Sequence, residues 1–450
     1  MVDAMVNSVE DYLIDGLSFK FSPGASYVTD RRSVSFFTAG SNSYTPGAGT
    51  RVARINLTGD GWLDPSTVRV MYTLVNTATG ASAEEITNKI LRPISGPWSF
   101  FRRARCMVGG AIVDDVDYYN RVHEMLHILT SEGNRNNDDI EGFGLRWDDN
   151  SCYKTWTDKY NEYFKGGTSK KVSFKPFFGL LNQPKYIPLS WCPLTIEMEI
   201  VNNATDAVCG NGGAFTDANT SKSWLIQDVR IVCDVVTLDS ALQNSYAEHV
   251  LSGKALPINY STYISQYQTA IKPEINVNVT RTASRLKSVF INFDGPHGEA
   301  DISDAVHKSF NTFMSPSSGN TYMAGQYEED EELQWQLQIG SKLFPEYPCR
   351  SIAETFYQLR KSLGIHGSAF HSVNINLDKF MNDHYIIGID TEKIIEPGFI
   401  GLNTRAGDLM VFRAKGDKAS LASWNVNSVY IILHTDQILE IRDTGSQVFD

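Results

Sequence analysis

The segment HEMLH, residues 123–127, is the one place in this sequence where residue types and spacing suggest a chemical reaction. His123 and His127 are four residues apart with Glu124 beside the first, which is the H-E-x-x-H pattern of zinc hydrolases. On a helix, residues four apart share a face, so both histidines could bind one metal ion while the glutamate polarises its water. The pattern therefore raises the hypothesis of a zinc hydrolase.

The residues that follow HEMLH argue against that hypothesis. A catalytic zinc needs a third protein ligand, and the longer H-E-x-x-H-x-x-G-x-x-H pattern fails at Thr130 and Gly133. Glu132 and Glu141 are the nearest carboxylates, but they lie in a polar segment with the composition of a loop. We therefore expect no metal site here, and His123, Glu124 and His127 are kept only as low-probability zinc candidates.

The sequence around the motif predicts a packing helix over about residues 115–131. Four apolar residues recur at helical spacing and form one stripe: Tyr118, Val122, Met125 and Leu129. At 100° per residue, the two histidines lie well round from this stripe, on the polar side of the helix. They are accordingly expected to be surface or subunit-contact histidines.

Length and composition indicate a globular protein of two domains. The chain has 450 residues, 42% of them hydrophobic, which is more than one ordinary core accommodates. No stretch has the roughly 18 apolar residues of a membrane helix, and the N-terminus lacks the features of a secretory signal. The six cysteines are far apart without a C-x-x-C pair, so we expect buried free thiols.

The charge is acidic, with a formal net value of −12. Proteins that neutralise phosphates usually carry a basic stripe, so direct sequence-specific nucleic-acid binding is not expected. The largest charge run, residues 328–332 within YEEDEELQW, is acidic as well. Such a run is more often a solvated loop than a cation site, and the sequence leaves both open.

Short runs of β-branched and aromatic residues recur between turn clusters, which predicts an all-β fold. The candidate strands lie within residues 31–40, 50–59, 66–76, 99–116, 194–203, 224–238, 275–295, 369–380, 385–395, 406–416 and 428–443. Two further helices are predicted, over about 240–251 and 352–363. Strands at this density indicate sandwiches or jelly rolls rather than an α/β enzyme.

The strand pattern repeats once along the chain. Each series closes with a long aliphatic strand that ends on an acid, VRIVCDVVTLD near residue 239 and YIILHTDQILEIRD near residue 443. The predicted division is an N-terminal arm over 1–25, a first jelly roll over 26–251, a linker over 252–264 and a second jelly roll over 265–450.

Four phrases of the sequence resemble one known family. They are residues 31–76, beginning RRSVSFFTAG; FFRRARCMVGGAIVDDVDYYNRVHEMLHIL, 100–129; IPLSWCPLTIEMEIVNN, 187–203; and the closing LEIRDTGSQVFD, 439–450. The family is that of the double jelly-roll major capsid proteins of polinton-like and adintovirus-like double-stranded DNA viruses and their endogenous relatives.

This resemblance implies two eight-stranded jelly rolls in tandem, with a few short helices and long inter-strand loops. It also implies a structural protein without catalytic residues or cofactor, which forms pseudo-hexagonal homotrimers and assembles into an icosahedral virion shell. The implied partners are other copies of the chain, neighbouring capsomers, and minor capsid or penton proteins. The implied location is the virion, after synthesis in the host cytoplasm or nucleus.

Two other classes of function remain open at this point. Tyr and Trp are dense in segments such as YKTWTDKYNEYF, residues 153–164, and a β-sandwich glycan- or receptor-binding protein would use such residues against sugar rings. The less favoured alternative is the zinc hydrolase of HEMLH.

Overall fold

The computed structural model describes a set of ranges that together carry every element named below. They are residues 27–47, 49–130, 140–143, 164–208, 220–270, 274–294, 313, 315–316, 333–365, 373, 375–382, 384–393, 401–405, 408–416 and 427–450. The predicted N-terminal arm and the acidic run 328–332 lie outside the described residues.

The first half of the chain contains eleven of the described strands and three of the helices. The strands are β1 (Val28–Phe37), β2 (Ser43–Tyr44), β3 (Val52–Leu57), β4 (Trp62–Leu63), β5 (Arg69–Asn76), β6 (Phe101–Val108), β7 (Ala111–Val116), β8 (Ser169–Phe174), β9 (Ile187–Pro188), β10 (Leu194–Ile200) and β11 (Trp224–Leu238). The helices are α1 (Ala83–Asn88), α2 (Tyr119–Ile128) and α3 (Ser240–Leu251).

The second half contains nine described strands and two helices. The strands are β12 (Leu256–Thr269), β13 (Glu274–Val279), β14 (Leu286–Asp294), β15 (Leu333–Ile339), β16 (Lys342–Cys349), β17 (Ile387–Asp390), β18 (Met410–Gly416), β19 (Ser428–Arg442) and β20 (Gly445–Phe449). The helices are α4 (Ile352–Ser362) and α5 (Leu377–Asn382).

Both halves have the same sheet topology. In the first, one sheet has the order β1-β11-β5-β8 and the other β3-β10-β6-β7. In the second, the orders are β12-β19-β14-β17 and β13-β18-β15-β16. When the eight main strands of each half are lettered B to I in chain order, both halves read B-I-D-G and C-H-E-F. This is the jelly-roll arrangement, and the predicted all-β double jelly roll is confirmed.

The long I strands are completed by short additional strands at the same place. In the first jelly roll, roll 1, β5 pairs with only part of β11, and β4 pairs with the remainder near Val235. In the second, roll 2, β14 pairs with β19 up to Thr435, and β20 then pairs from Ile438 onward. In each roll, the short strand therefore supplies hydrogen-bond partners for backbone groups of the I strand that would otherwise be unpaired.

Alternating sequences put the apolar side chains between the two sheets of each roll. VARINL in β3 and LTIEMEI in β10 bury every second residue, as a strand with one covered face must. The buried residues of both rolls form one continuous hydrophobic cluster, which runs across the junction between the rolls. The two rolls are consequently packed against each other.

Three expectations from the sequence are wrong in part. The predicted helix at 115–131 spans only Tyr119–Ile128, because the residues before it complete the hairpin of β6 and β7. The predicted linker over 252–264 is mostly strand, since residues from Leu256 pair along the whole length of β19. Within the predicted strand at 369–380, residues from Leu377 onward are helical.

Four of the six cysteines lie in the described part of the chain, and all four are free and buried: Cys106, Cys192, Cys233 and Cys349. The expected buried thiols are confirmed for these four, and burial raises the pKa of Cys192, Cys233 and Cys349 to about 12. Within the same described residues, no helix has the length and apolar character needed to cross a membrane.

Candidate functional site

The helix that carries HEMLH is buried at the junction of the two rolls. Of the three motif residues, Glu124 and His127 are buried and His123 is partly buried. The expectation of surface histidines on a polar helix side is therefore wrong. The helix is covered on nearly all sides because roll 1 packs against one face and roll 2 against another, so a single apolar stripe does not describe its environment.

Glu124 is held by two donors from the segment that precedes β6. The Ser95 hydroxyl donates to its Oε2 at 2.5 Å, and the indole Nε1 of Trp98 donates to the same oxygen at 2.8 Å. A buried carboxylate is tolerated only with such charge-assisted hydrogen bonds. Glu124 thus ties α2 to the start of β6, and this oxygen is already engaged.

The two histidines pack on the same tryptophan. The ring of His123 stacks on Trp98 with centroids 4.2 Å apart, and His127 lies 4.6 Å from the same indole. His123 Nε2 is 3.2 Å from the carbonyl oxygen of Lys175. Since a carbonyl oxygen only accepts hydrogen bonds, Nε2 is the donor here and carries a proton. That nitrogen is therefore unsuited to binding a metal in this arrangement.

A small pocket of about 200 Å³ opens beside the histidines. Its lining includes His123, His127 and Glu141, which the sequence offered as a possible third ligand. Glu141 instead pairs with Arg69 at 2.9 Å, which places a permanent cation in the pocket. Among the described residues, no group of three histidine, cysteine, aspartate or glutamate side chains could hold a metal ion.

Arg121, in the first turn of α2, contacts roll 2. Its side chain is fully buried, and its Nε donates to Asn292 Oδ1 at 2.7 Å while Nη2 donates to the Phe293 carbonyl at 2.5 Å. Asp294 lies 3.9 Å away and supplies the opposite charge. All three acceptors are on or at the end of β14, so a residue of roll 1 is bound by the D strand of roll 2.

Two aromatic rings complete the Arg121 site. The guanidinium lies 4.4 Å from the ring centroid of Tyr430 in β19 and 4.7 Å from that of Phe313. A cation over an aromatic face is stabilised by about 2 kcal/mol or more when water is excluded. The arginine is thereby enclosed by hydrogen-bond acceptors along its edge and by rings on its faces, which is how a buried charge is accommodated.

Asp114 in β7 is a second polar contact across the junction. Its carboxylate accepts hydrogen bonds from the Thr262 hydroxyl in β12 and from the backbone N–H groups of Gly179 and Leu180, at 3.2 and 3.3 Å. Burial raises the pKa of Asp114 to about 6, because desolvation of the charge outweighs these three donors. The carboxyl group is consequently half-protonated near pH 6 and mostly ionised at neutral pH.

Two side-chain hydroxyl groups of β12 contact backbone carbonyls of roll 1 near Asp114, and the rolls approach each other closely there. The Tyr260 hydroxyl donates to the Val113 carbonyl at 3.2 Å, and the Ser265 hydroxyl donates to the Asp117 carbonyl at 2.5 Å. At Gly179, a Cβ atom would lie 2.0 Å from the carbonyl oxygen of Ser261. Only glycine allows the turn at 179–181 to approach β12 this closely.

The sequence did not indicate the contact between the two rolls, although Asn292 was one signal of it. Arg121 lies among residues of mixed polarity, and its partner Asn292 is 171 residues away along the chain. Asn292 itself stands in the aliphatic and aromatic strand SVFINFD, where a fully buried amide requires a polar partner. A search for partners of that asparagine would have pointed towards a buried donor elsewhere.

Comparison with known proteins adds support for the fold. No family model matches the chain, and no curated protein matches it. Among solved structures, a quasi-atomic model of the PBCV-1 virus capsid aligns with a TM-score of 0.60 at 12% identity, covering 96% of this chain and 100% of that one. PBCV-1 VP54, fitted into a reconstruction of the virophage Sputnik, gives 0.59 at 12% identity with the same coverage.

The major capsid protein of Faustovirus aligns with a TM-score of 0.57 at 9% identity, covering 94% of this chain and 92% of that one. At these identities the alignments establish a shared fold. This chain has the double jelly-roll fold found in capsid proteins of large DNA viruses and virophages.

Proposed function

We propose that this protein is a major capsid protein, a structural subunit of the shell of a double-stranded DNA virus. The observation that carries the proposal is two jelly rolls of identical sheet order in one chain, aligned over at least 94% of its length with viral capsid structures. Fold alone does not determine function, so the assembly state of the protein is the test of this proposal.

Three copies of the chain form the proposed building block. Each chain contributes two similar rolls, so a three-fold symmetric trimer presents six similar units and fills a nearly hexagonal outline. The buried contacts of Arg121 and Asp114 support this role because they fix the two rolls as one rigid unit. Trimers then associate with neighbouring capsomers and with minor capsid or penton proteins into an icosahedral shell.

The proposal extends to the origin and boundaries that the sequence suggested. We assign the chain to the polinton-like and adintovirus-like group, with a location in the virion after synthesis in the host cytoplasm or nucleus. In this proposal the first jelly roll spans residues 26–251, and the second includes β12, which overlaps the predicted linker over 252–264. In this proposal the protein is not an enzyme and uses no cofactor, and His123, Glu124 and His127 serve packing.

The acidic charge is compatible with a shell protein. A net charge of −12 disfavours direct contact with DNA phosphates, so other proteins would neutralise the packaged genome. The proposed chain therefore encloses nucleic acid without recognising its sequence.

Light scattering coupled to gel filtration tests this function. Three copies of the 50.2 kDa chain give a particle of about 150 kDa, and larger assemblies are also expected. A monomer at all accessible concentrations would contradict the proposal. Specific binding of an isolated monomer on a glycan array would instead favour the glycan- or receptor-binding alternative.

A further inference from the structure

The pocket beside the HEMLH histidines has an excess of positive charge. Among the described residues, its lining includes two cationic side chains, Arg69 and Lys175, and one carboxylate, that of Glu141. Glu141 pairs with Arg69 at 2.9 Å and so compensates one of the two cations. The charge of Lys175 has no matching acid in this lining, although the chain as a whole carries a formal net charge of −12.

The register of the sheet places the two cations opposite each other. Val70 in β5 pairs with Phe174 in β8, and the strands are antiparallel, so Arg69 and Lys175 are the next facing residues. Val70 and Phe174 are buried in the core of roll 1, which leaves Arg69 and Lys175 on the outer face of the sheet. Like charges directly opposite each other destabilise a sheet. The arrangement is therefore favourable only when negative charge lies beside both cations.

The surroundings of Lys175 do not supply enough of that charge. Burial lowers the pKa of Lys175, and the charge of Arg69 lowers it further. Asp64 acts in the opposite direction but has the smallest influence of the three, and its carboxylate pairs with Arg31 at 2.9 Å. In the part of the chain that the structure describes, the Lys175 ammonium makes no hydrogen bond or ion pair. The half-buried cation is thus available to a ligand.

Two neutral hydrogen-bond donors lie in the same lining. They are the hydroxyl group of Ser173 and the amide group of Asn182. Ser173 is two residues before Lys175 and therefore projects from the same face of the strand. Neither side chain has a hydrogen-bond partner among the described residues. An ammonium group together with hydroxyl and amide donors is a suitable set for the oxygen atoms of an anion.

The size and charge of the pocket define the class of ligand. Its volume of about 200 Å³ is smaller than the roughly 300–1,000 Å³ of sites for drug-sized molecules, so it suits a small ion. A metal cation would be repelled by Arg69 and Lys175, and His123 Nε2 already donates its proton to the Lys175 carbonyl. The same features that disfavour a metal cation favour an anion.

We propose that this pocket binds a small oxyanion, a phosphate or a carboxylate, through Lys175, Ser173 and Asn182. Arg69 adds a second positive charge beside the ligand and remains paired with Glu141. The site lies within one chain and does not depend on the proposed trimer. The pocket that resembles a zinc site in sequence is, in this proposal, an anion site.

Isothermal titration calorimetry tests the proposal directly. Sodium phosphate and, separately, sodium acetate are titrated into the wild-type protein at neutral pH, in sodium chloride at constant ionic strength. Saturable binding of one anion per chain is expected. Binding of phosphate alone would identify a phosphate site, and binding of acetate as well would identify a general carboxylate and phosphate site.

The variant Lys175→Met removes the main ligand of the anion. We expect the dissociation constant to rise about tenfold or more, because a hydrogen bond to a charged group is lost. Lys171→Met is the matched control, since Lys171 is an exposed residue of the same strand outside the pocket lining. It should change the dissociation constant by less than about twofold, because an exposed charge contributes little.

Thermal unfolding supplies a second measurement that does not depend on the titration. In chloride alone, Lys175→Met should unfold at a temperature no lower than the wild type, because the repulsion between Lys175 and Arg69 is removed. Phosphate should raise the melting temperature of the wild type but not that of the variant, since a ligand stabilises only the state that binds it.

The variant Glu141→Gln should have the opposite effect on binding. It removes the carboxylate from the described lining and leaves Arg69 without its partner, so phosphate should bind more tightly than to the wild type. The dissociation constant from the same titration measures this change. Weaker binding to Glu141→Gln would contradict an anion site.

Three further outcomes would overturn the proposal. The first is a wild type that binds neither phosphate nor acetate saturably. The second is unchanged binding in Lys175→Met, which would place the anion elsewhere. The third is a lower melting temperature of Lys175→Met in chloride alone, which would show that an acid of the protein already compensates Lys175.

Discussion

The helices α2 and α4 both follow the F strand of their roll in chain order, yet their surroundings differ. The first is buried against the neighbouring roll through a fully enclosed arginine, and the second leaves a tyrosine largely in solvent. The difference shows that two rolls of the same sheet order present different surfaces after the F strand: one is buried through polar contacts, and the other exposes an aromatic side chain.

The polar contacts at the junction between roll 1 and roll 2 have an energetic consequence. An apolar junction would tolerate sliding, because hydrophobic contacts have little directionality. Arg121 and Asp114 have directional partners on the other roll, so a displaced junction would leave buried charges unpaired. We therefore attribute the fixed orientation of the two rolls to these two residues.

The largest effect on the free energy of unfolding is expected from Arg121→Met, which changes the buried helix of this comparison. The methionine keeps much of the volume but leaves Asn292 and the Phe293 carbonyl without their donor. Removing one member of a buried charged set typically costs about 3–5 kcal/mol. Urea denaturation should show that loss in the free energy of unfolding.

Lys361→Met, in the last turn of α4, is the matched control for Arg121. It removes a positive charge from the corresponding helix at a less buried position, so a change within about 0.5 kcal/mol is expected. A loss below about 1 kcal/mol in Arg121→Met would show that the arginine does not hold the rolls together.

The second effect is a dependence of the free energy of unfolding on pH, caused by Asp114. Its pKa is about 6 in the folded protein, above roughly 3.9 for an unfolded aspartate, so the folded state binds the proton more readily. The stability from that proton is fully present below about pH 4 and lost as the pH rises through about 6. About two pKa units correspond to about 3 kcal/mol.

Asp114→Asn isolates this contribution because the amide does not titrate. The free energy of unfolding of the wild type, taken relative to that of the variant, should fall by about 2 kcal/mol from pH 4 to pH 7. Denaturant titrations at a series of pH values measure it. A difference that stays constant over this range would exclude a raised pKa at the junction.

A smaller loss is expected from Gly179→Ala. The added methyl group would overlap the Ser261 carbonyl, and overpacking of this kind costs about 1–3 kcal/mol. Gly59→Ala is the control, since no atom lies within 4 Å of the position of its Cβ. Thermal unfolding should separate the two variants, and equal melting temperatures would mean that the rolls are not in close contact at this turn.

The variant His127→Ala is expected to leave the metal content of the protein unchanged. α4 lacks histidine and α2 carries the H-E-x-x-H pattern, so a zinc site would make the two helices differ in chemistry as well as in packing. Elemental analysis of the purified protein should find no stoichiometric zinc, in the wild type or in His127→Ala. One zinc per chain in the wild type, absent from the variant, would restore the hydrolase hypothesis.

The sequence predicted the strands of each roll better than the contact between the two rolls. Alternation in segments such as VARINL follows from local geometry, so strands are visible without tertiary information. The position of Arg121 depends on partners in β14, which no local pattern can reveal. The HEMLH histidines were expected to lie on the surface or in subunit contacts for the same reason, since the burial of α2 depends on segments distant in the sequence.

Electron microscopy of the purified protein tests the central claim, that two rigidly joined jelly rolls form a trimeric capsid building block. The account predicts particles with three-fold symmetry, a nearly hexagonal outline and six similar lobes, alone or arrayed in shells. Isolated two-lobed particles at every concentration, or rings with another number of lobes, would contradict it.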